Sequence, residues 1–201
     1  MRPLRKFTTN NPFMKKILFG LSLFVAASSF AQDKYSPVVK QGTRLNFSAM
    51  VNGQTFPCVF SLDSLTAGYV KVGWTVEGFG SGGWVMKSKS LESGNRGFWN
   101  QPSPGTVEDM ADDQVVVLIS KAQWEMLQKD KKINFDQQVY TVKTPTEQQQ
   151  LKISGKTVDA YYLESANGST HIWILNNAAT PLLLKIEGNT LGADLTLNSV
   201  E

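Results

Sequence analysis

The sequence predicts a mainly β protein: an antiparallel meander of about ten strands curled into a barrel or half-barrel, with one helix near 120–130. Three observations carry that reading. Apolar and polar residues alternate with period two from residue 43 onward. Asn-Gly pairs at 52–53 and 167–168 separate alternating runs, and this dipeptide tolerates the positive φ that tight hairpin turns require. A capped helical pattern begins at Ser120.

In chain order, Leu45, Phe47, Ala49 and Val51 form the apolar face of a first strand. Asn52-Gly53 turns the chain into a second, with Phe56, Cys58, Phe60 and Leu62 on the same face. Pro57 lacks an N–H to donate, which predicts an edge position or a bulge. Val70, Val72, Trp74 and Val76 mark a third strand, residues 78–83 a flexible glycine-rich loop, and Trp84 to Lys89 a fourth strand. Residues 90–113 read as a long irregular connection and Val115 to Ile119 as a buried strand. Ser120 with Gln123 makes a capping-box pattern for the helix, which also carries Trp124 and Leu127. Further strands are expected at about 137–143, 148–154, 156–164, 169–176, 181–187 and 191–200, with Tyr162, Ile172 and Ile174 all in inward-facing sets.

The chain has 201 residues, 20 of them basic and 17 acidic, with one His and one Cys. That length suits one core. A single Cys excludes an internal disulfide framework, and one Cys with one His disfavours a zinc site. Five of the basic residues fall within 1–31, where there is no acid; the remaining 15 basic and 17 acidic residues leave −2. The overall positive balance therefore belongs to the leader and is no nucleic-acid footprint. Met14-Lys15-Lys16, the apolar run Ile17 to Ala27, and Ser29 and Ala31 ahead of Gln32 have the layout of a secretory signal peptide. The expectation is a signal peptide with an N-terminal extension over 1–31, translation starting at Met1 or Met14, and a single exported β-rich domain over 32–201. No Cys follows the apolar run to accept a lipid, and no transmembrane segment is expected in the mature chain.

Several motifs invite chemistry and lack its context. Gly78, Gly80 and Gly83 match a dinucleotide fingerprint, but a strand follows where the pyrophosphate needs a helix N-terminus. Gly155-Lys156-Thr157 looks like the end of a P-loop without its upstream glycine, and reads better as a hairpin turn at 154–156. His171 is the one imidazole; Ser61, Ser64 and Ser81 are its conceivable nucleophilic partners, and no G-x-S-x-G elbow exposes any of them. Cys58 sits at an inward position, as a small hydrophobe would. Glu108, Asp109, Asp112 and Asp113 could offer oxygens to calcium, but their spacing is not that of an EF-hand, and a solvated acidic loop explains them as well. No catalytic residue, metal ligand or cofactor is assigned.

Trp74, Phe79, Trp84, Phe98 and Trp99 bracket the flexible loops, where they would either line an apolar cleft or plug the core. One helix cannot cover a sheet of this size. The predicted ligand contacts are therefore Trp74, Phe79 and Trp84 around the glycine-rich loop, acting as a lid, with Trp124 and Leu127 on the helix.

The run from His171 to Asn177, followed by Pro181-Leu182-Leu183-Leu184-Lys185, together with the leader and the strand-rich layout, resembles periplasmic half-barrel proteins. These include lipoprotein carriers of the LolA type and a related secreted envelope domain family of unknown function. The ending Ser-Phe-Ala-Gln resembles leaders of secreted Bacteroidota proteins. The resemblance implies a curved sheet and, with it, an apolar or acylated ligand. The expected function is a non-catalytic extracytoplasmic binding protein for a hydrophobic small molecule or lipid. The alternatives are a secreted envelope interaction or structural protein with a filled core, having an envelope protein as partner, and a secreted hydrolase.

Overall fold

Alternation becomes a sheet of eleven strands in the computed structural model, which describes residues 34–201 as one compact unit. The expected leader and its cleavage site lie outside the described residues.

The strands are β1 (Arg44–Val51), β2 (Gln54–Thr66), β3 (Tyr69–Val76) and β4 (Gly80–Lys87), then the short helix α1 (Ser88–Ser93). Next come β5 (Arg96–Gly97), β6 (Val107–Asp109) and β7 (Gln114–Val115), then the helix α2 (Lys121–Asp130). The remainder is β8 (Lys132–Phe135), β9 (Gln138–Lys143), β10 (Lys152–Ile153), β11 (Lys156–Thr157), β12 (Ala160–Ser165), β13 (His171–Leu175), β14 (Leu183–Glu187) and β15 (Asp194–Val200). The main sheet runs β6-β4-β3-β2-β1-β15-β14-β13-β12-β9-β8, with β10-β11 and β5-β7 as separate pairs. All neighbours in the main sheet are antiparallel except β4 and β6, so the sheet is mixed and not a pure meander. The pairing joins β6 to β8 nowhere, and no closed barrel forms among the described residues.

Asn52-Gly53 turns β1 into β2 with φ of 51° and 77°, as the two-residue loop requires. Ser154-Gly155 does the same between β10 and β11, which accounts for the P-loop look-alike. Asn167-Gly168 works differently: Ser165 and Thr170 close a wider loop, in which the Asn167 carboxamide oxygen accepts from the hydroxyls of Ser165 and Ser169. Pro57 pairs with Ser48 of β1, and the β3 ladder starts only at Cys58, so its missing N–H leaves no gap.

Several expected elements come out differently. Residues 80–83 belong to β4, not to a loop, and only 77–79 turn. Gly82 is needed there because a Cβ would lie 2.6 Å from the Thr106 carbonyl oxygen and 2.7 Å from the Trp74 ring. A Cβ on Gly80 would likewise meet Pro104 at 2.8 Å. The glycines thus let residues 104–107 lie against β4. Ser88 and Lys89 open α1 instead of ending a strand. Residues 116–119 are buried but leave the strand after Val115, because Val117 takes a φ of 50° and Leu118 bridges to Leu182. Of 148–154 only Lys152–Ile153 is strand, and 156–164 is broken between β11 and β12.

Both faces of β12 and β13 are buried. Leu163, Ile172 and Ile174 occupy one, which α2 helps to cover through Trp124 against Tyr161. Tyr162 points to the other face, contrary to the expected inward set. There it packs on Trp173 and is capped by Gln149, whose amide donates to its hydroxyl at 2.6 Å. The Trp173 indole donates to the Gln149 carbonyl oxygen at 2.8 Å. On α2, the Ser120 hydroxyl accepts from the Gln123 N–H, but the Gln123 side chain accepts from the Asn134 N–H and so ties the helix to β8. No helix among the described residues is long and apolar enough to cross a membrane.

Candidate functional site

Where α2 does not reach, the inner face of β1–β4 borders a cavity of about 680 Å³ that opens to solvent. The volume falls within the ~300–1,000 Å³ of small-molecule sites and far exceeds the ~30 Å³ that one water occupies. One wall is built by inward positions of the sheet: Ala49, Cys58, Phe60, Trp74, Val76, Trp84 and Leu195. Residues 97–102 and 115–118 supply the opposite wall. No Asp, Glu, Lys, Arg or His lines it. The polar side chains of the lining are Asn52, Asn100, Gln101 and Thr190, all exposed, together with the buried Cys58.

Aromatic rings run continuously through the sheet wall. Phe47 and Phe60 lie with centroids 5.3 Å apart, Phe60 and Trp84 5.7 Å, Trp84 and Trp74 5.8 Å, and Trp74 and Phe79 6.1 Å. Phe98 reaches Trp84 from the opposite wall at 5.8 Å. These distances suit offset and edge contacts between rings.

The segment 95–102 is a strap fastened at two places. β5 pairs with β7, and Asp136 in the β8–β9 turn accepts hydrogen bonds from the Gly97 N–H and the Trp99 indole, each at 2.8 Å. The Asp136 N–H in turn donates to the Asn95 carbonyl oxygen at 2.9 Å. Burial pushes the Asp136 carboxyl above the usual range, while the Trp99 and Gly97 hydrogen bonds and the Arg96 charge pull it partly back. Trp99 also packs close to Gly192, where a Cβ would lie 2.8 Å from its own Cβ. Val117, a β-branched residue held at positive φ, stands in the lining beside this strap.

Three of the five predicted contacts, Trp74, Phe79 and Trp84, meet at the cavity. Trp124 and Leu127 do not: Leu127 is core, and Trp124 packs edge-on to Tyr161. The mouth therefore lies between the 77–79 turn, the β1–β2 hairpin, the strap and residues 190–192, not between the turn and α2. Residues 80–83 of the glycine-rich segment form no lid, being paired with β3 on one side and, at Ser81 and Gly83, hydrogen-bonded to residues 105–106 on the other; only Gly78 and Phe79 lie in the turn. Phe98 and Trp99, read as bracketing loops, do line the cavity. Asp136 carried no signal in the sequence beyond being one acid among many.

The remaining candidates lie elsewhere. His171 stacks on Tyr162 with centroids 5.8 Å apart, its strand neighbours being Glu164 and Glu187. Ser61 and Ser64 of β2 stand four strands away in the sheet order, ~19 Å measured along the sheet. Three of the four acids expected in a loop pair with bases, Asp109 with Lys87, Asp112 with Lys89 and Asp113 with Arg96, while Glu108 accepts from the Ser103 N–H. Among the described residues no group of three or more potential ligands is placed to hold a metal. Cys58 faces the cavity, and burial pushes its thiol up to about 11. No family model, curated protein or solved structure matches this chain.

Proposed function

We propose that the protein is an exported, non-catalytic binding protein that holds an apolar or acylated ligand on the concave side of a half-barrel sheet. The observation that carries the reading is the uncharged, aromatic-walled cavity of about 680 Å³. An apolar chain gains ~0.8 kcal/mol for each methylene it buries in such a site. A carboxylate or phosphate inside it would find no counter-charge, so a charged head stays outside. The resemblance of the sequence to LolA-type carriers agrees with this reading, as does the secretory layout of residues 14–31.

An envelope interaction protein with a filled core remains the second reading, and the cavity weighs against it. Against the hydrolase reading, the candidate serines Ser61 and Ser64 stand four strands from His171 in the sheet order. Native mass spectrometry of the protein purified from the cells that make it tests the proposal. A bound lipid appears as added mass that organic solvent removes. Apo mass alone, with no uptake of fluorescent fatty-acyl probes, contradicts it.

A further inference from the structure

Nine large apolar side chains are exposed among the described residues, and four of them ring the cavity mouth: Val51 (41%), Phe56 (40%), Phe79 (38%) and Leu191 (55%). Exposed apolar residues scattered singly need no account, but a collar around an opening does. These side chains come from the β1–β2 hairpin, the 77–79 turn and the 188–193 connection. The stretches 45–62, 78–86, 97–107 and 188–193 contain no charged residue, whereas the 77–79 turn itself carries Glu77, and Asp194 lies between the lining residues Ala193 and Leu195. Glu187 and Asp194 flank the 188–193 connection, and Arg96, paired with Asp113, lies at the start of the strap.

We infer that this collar is a membrane-contacting surface, which seats the cavity mouth on the headgroup layer of a lipid bilayer. The inference rests on the proposed apolar ligand, because such a ligand is stored in bilayers and is poorly carried through water. Separate turns, each presenting one or two apolar side chains, suit insertion between lipids. A protein partner needs a continuous face of roughly 800 Å² per side. With no basic residue within these stretches, the contact is apolar and insensitive to salt.

The test places an environment-sensitive fluorophore on the full chain at Leu191→Cys or, as a control on β9, at Val139→Cys, both with Cys58→Ala. Val139 is exposed to a similar degree, at 44%. Comparing the two sites reads which face touches lipid, even where the apolar run 17–27 brings the chain to vesicles by itself. Phosphatidylcholine vesicles should shift the emission at 191 to the blue and leave 139 unchanged, equally at low and high salt. Phe56→Asp should abolish the shift. Equal responses at 191 and 139, no response at either, or a shift that needs protein concentration and no vesicles (two copies meeting mouth to mouth) would overturn the inference. Failure of the cavity reading is separately visible, as absent uptake of soluble acyl probes by a protein whose 191 site still responds.

Discussion

The indole N–H of Trp99 donates to the carboxylate of Asp136 at 2.8 Å, joining residues 37 positions apart. Through this bond a hairpin turn at one edge of the sheet fastens the strap that forms the outer wall of the cavity. The carboxylate sits where solvent hardly reaches it, and that burial disfavours its ionised form.

The pH dependence of stability follows from the raised Asp136 pKa. The native state keeps this proton to higher pH than the unfolded chain, so between the two values the native state binds more protons and stability falls as pH rises. The window opens at the ordinary 3.8 and closes at the raised native value. Urea unfolding of wild type and Asp136→Asn across the acidic range should show wild type losing stability relative to the variant as pH rises through that window. A constant difference, or the opposite slope, would contradict the assignment.

Cys58 should react slowly with iodoacetamide at pH 8, because its thiol ionises only near 11 and it lies on the buried wall. A bound ligand should slow alkylation further. A rate like that of an exposed thiol would show that the cavity wall is open to bulk water. Cys58→Ala and His171→Ala should both leave ligand binding intact.

Phe79 and Trp84 separate binding from packing. Trp84→Ala removes a buried ring and should destabilise by ~3–5 kcal/mol. Phe79→Ala truncates a half-exposed side chain at the rim, so thermal stability should hardly change while acyl-probe affinity drops. Equal losses of stability in the two variants would argue against Phe79 as a ligand contact.

Adjacent glycines offer a sharper contrast. A methyl on Gly82 meets Thr106 and Trp74, whereas on Gly83 the nearest contact is an ordinary 3.4 Å. Gly82→Ala should cost ~1–3 kcal/mol through forced displacement of the Trp74 ring, and Gly83→Ala far less. Chemical denaturation of both variants measures the difference, and similar midpoints would contradict the close approach.

The alternating strands were legible because half-buried sheets write their two faces into a period of two, as in Leu45-Phe47-Ala49 and Val70-Val72-Trp74. What stayed illegible had other causes. The β8–β9 hairpin turns at Asp136-Gln137, both at positive φ without a glycine, so no turn signal marked it. The glycines of 80–83 looked flexible because residues 104–107, which crowd them, lie further along the chain. Tyr162 and Ile172 are both buried, yet on opposite faces, since residues 147–153 cover the outer side, and hydropathy cannot tell which face a buried residue takes. The sheet side of the cavity was readable from Trp74, Phe79 and Trp84. Its outer wall depends on tertiary contacts of Asp136 and Gly192 that local pattern does not carry.

The central claim, that the cavity holds an apolar ligand, is tested most directly by titrating a fluorescent fatty-acyl probe into wild type and two filled variants, Ala49→Phe and Ala193→Phe. Both alanines line the cavity, one from the sheet and one from the 188–193 connection. Wild type should bind the probe saturably, and each variant, folded by circular dichroism, should bind it at least tenfold more weakly. Equal affinity in all three proteins, or no saturable binding to wild type, would contradict the account.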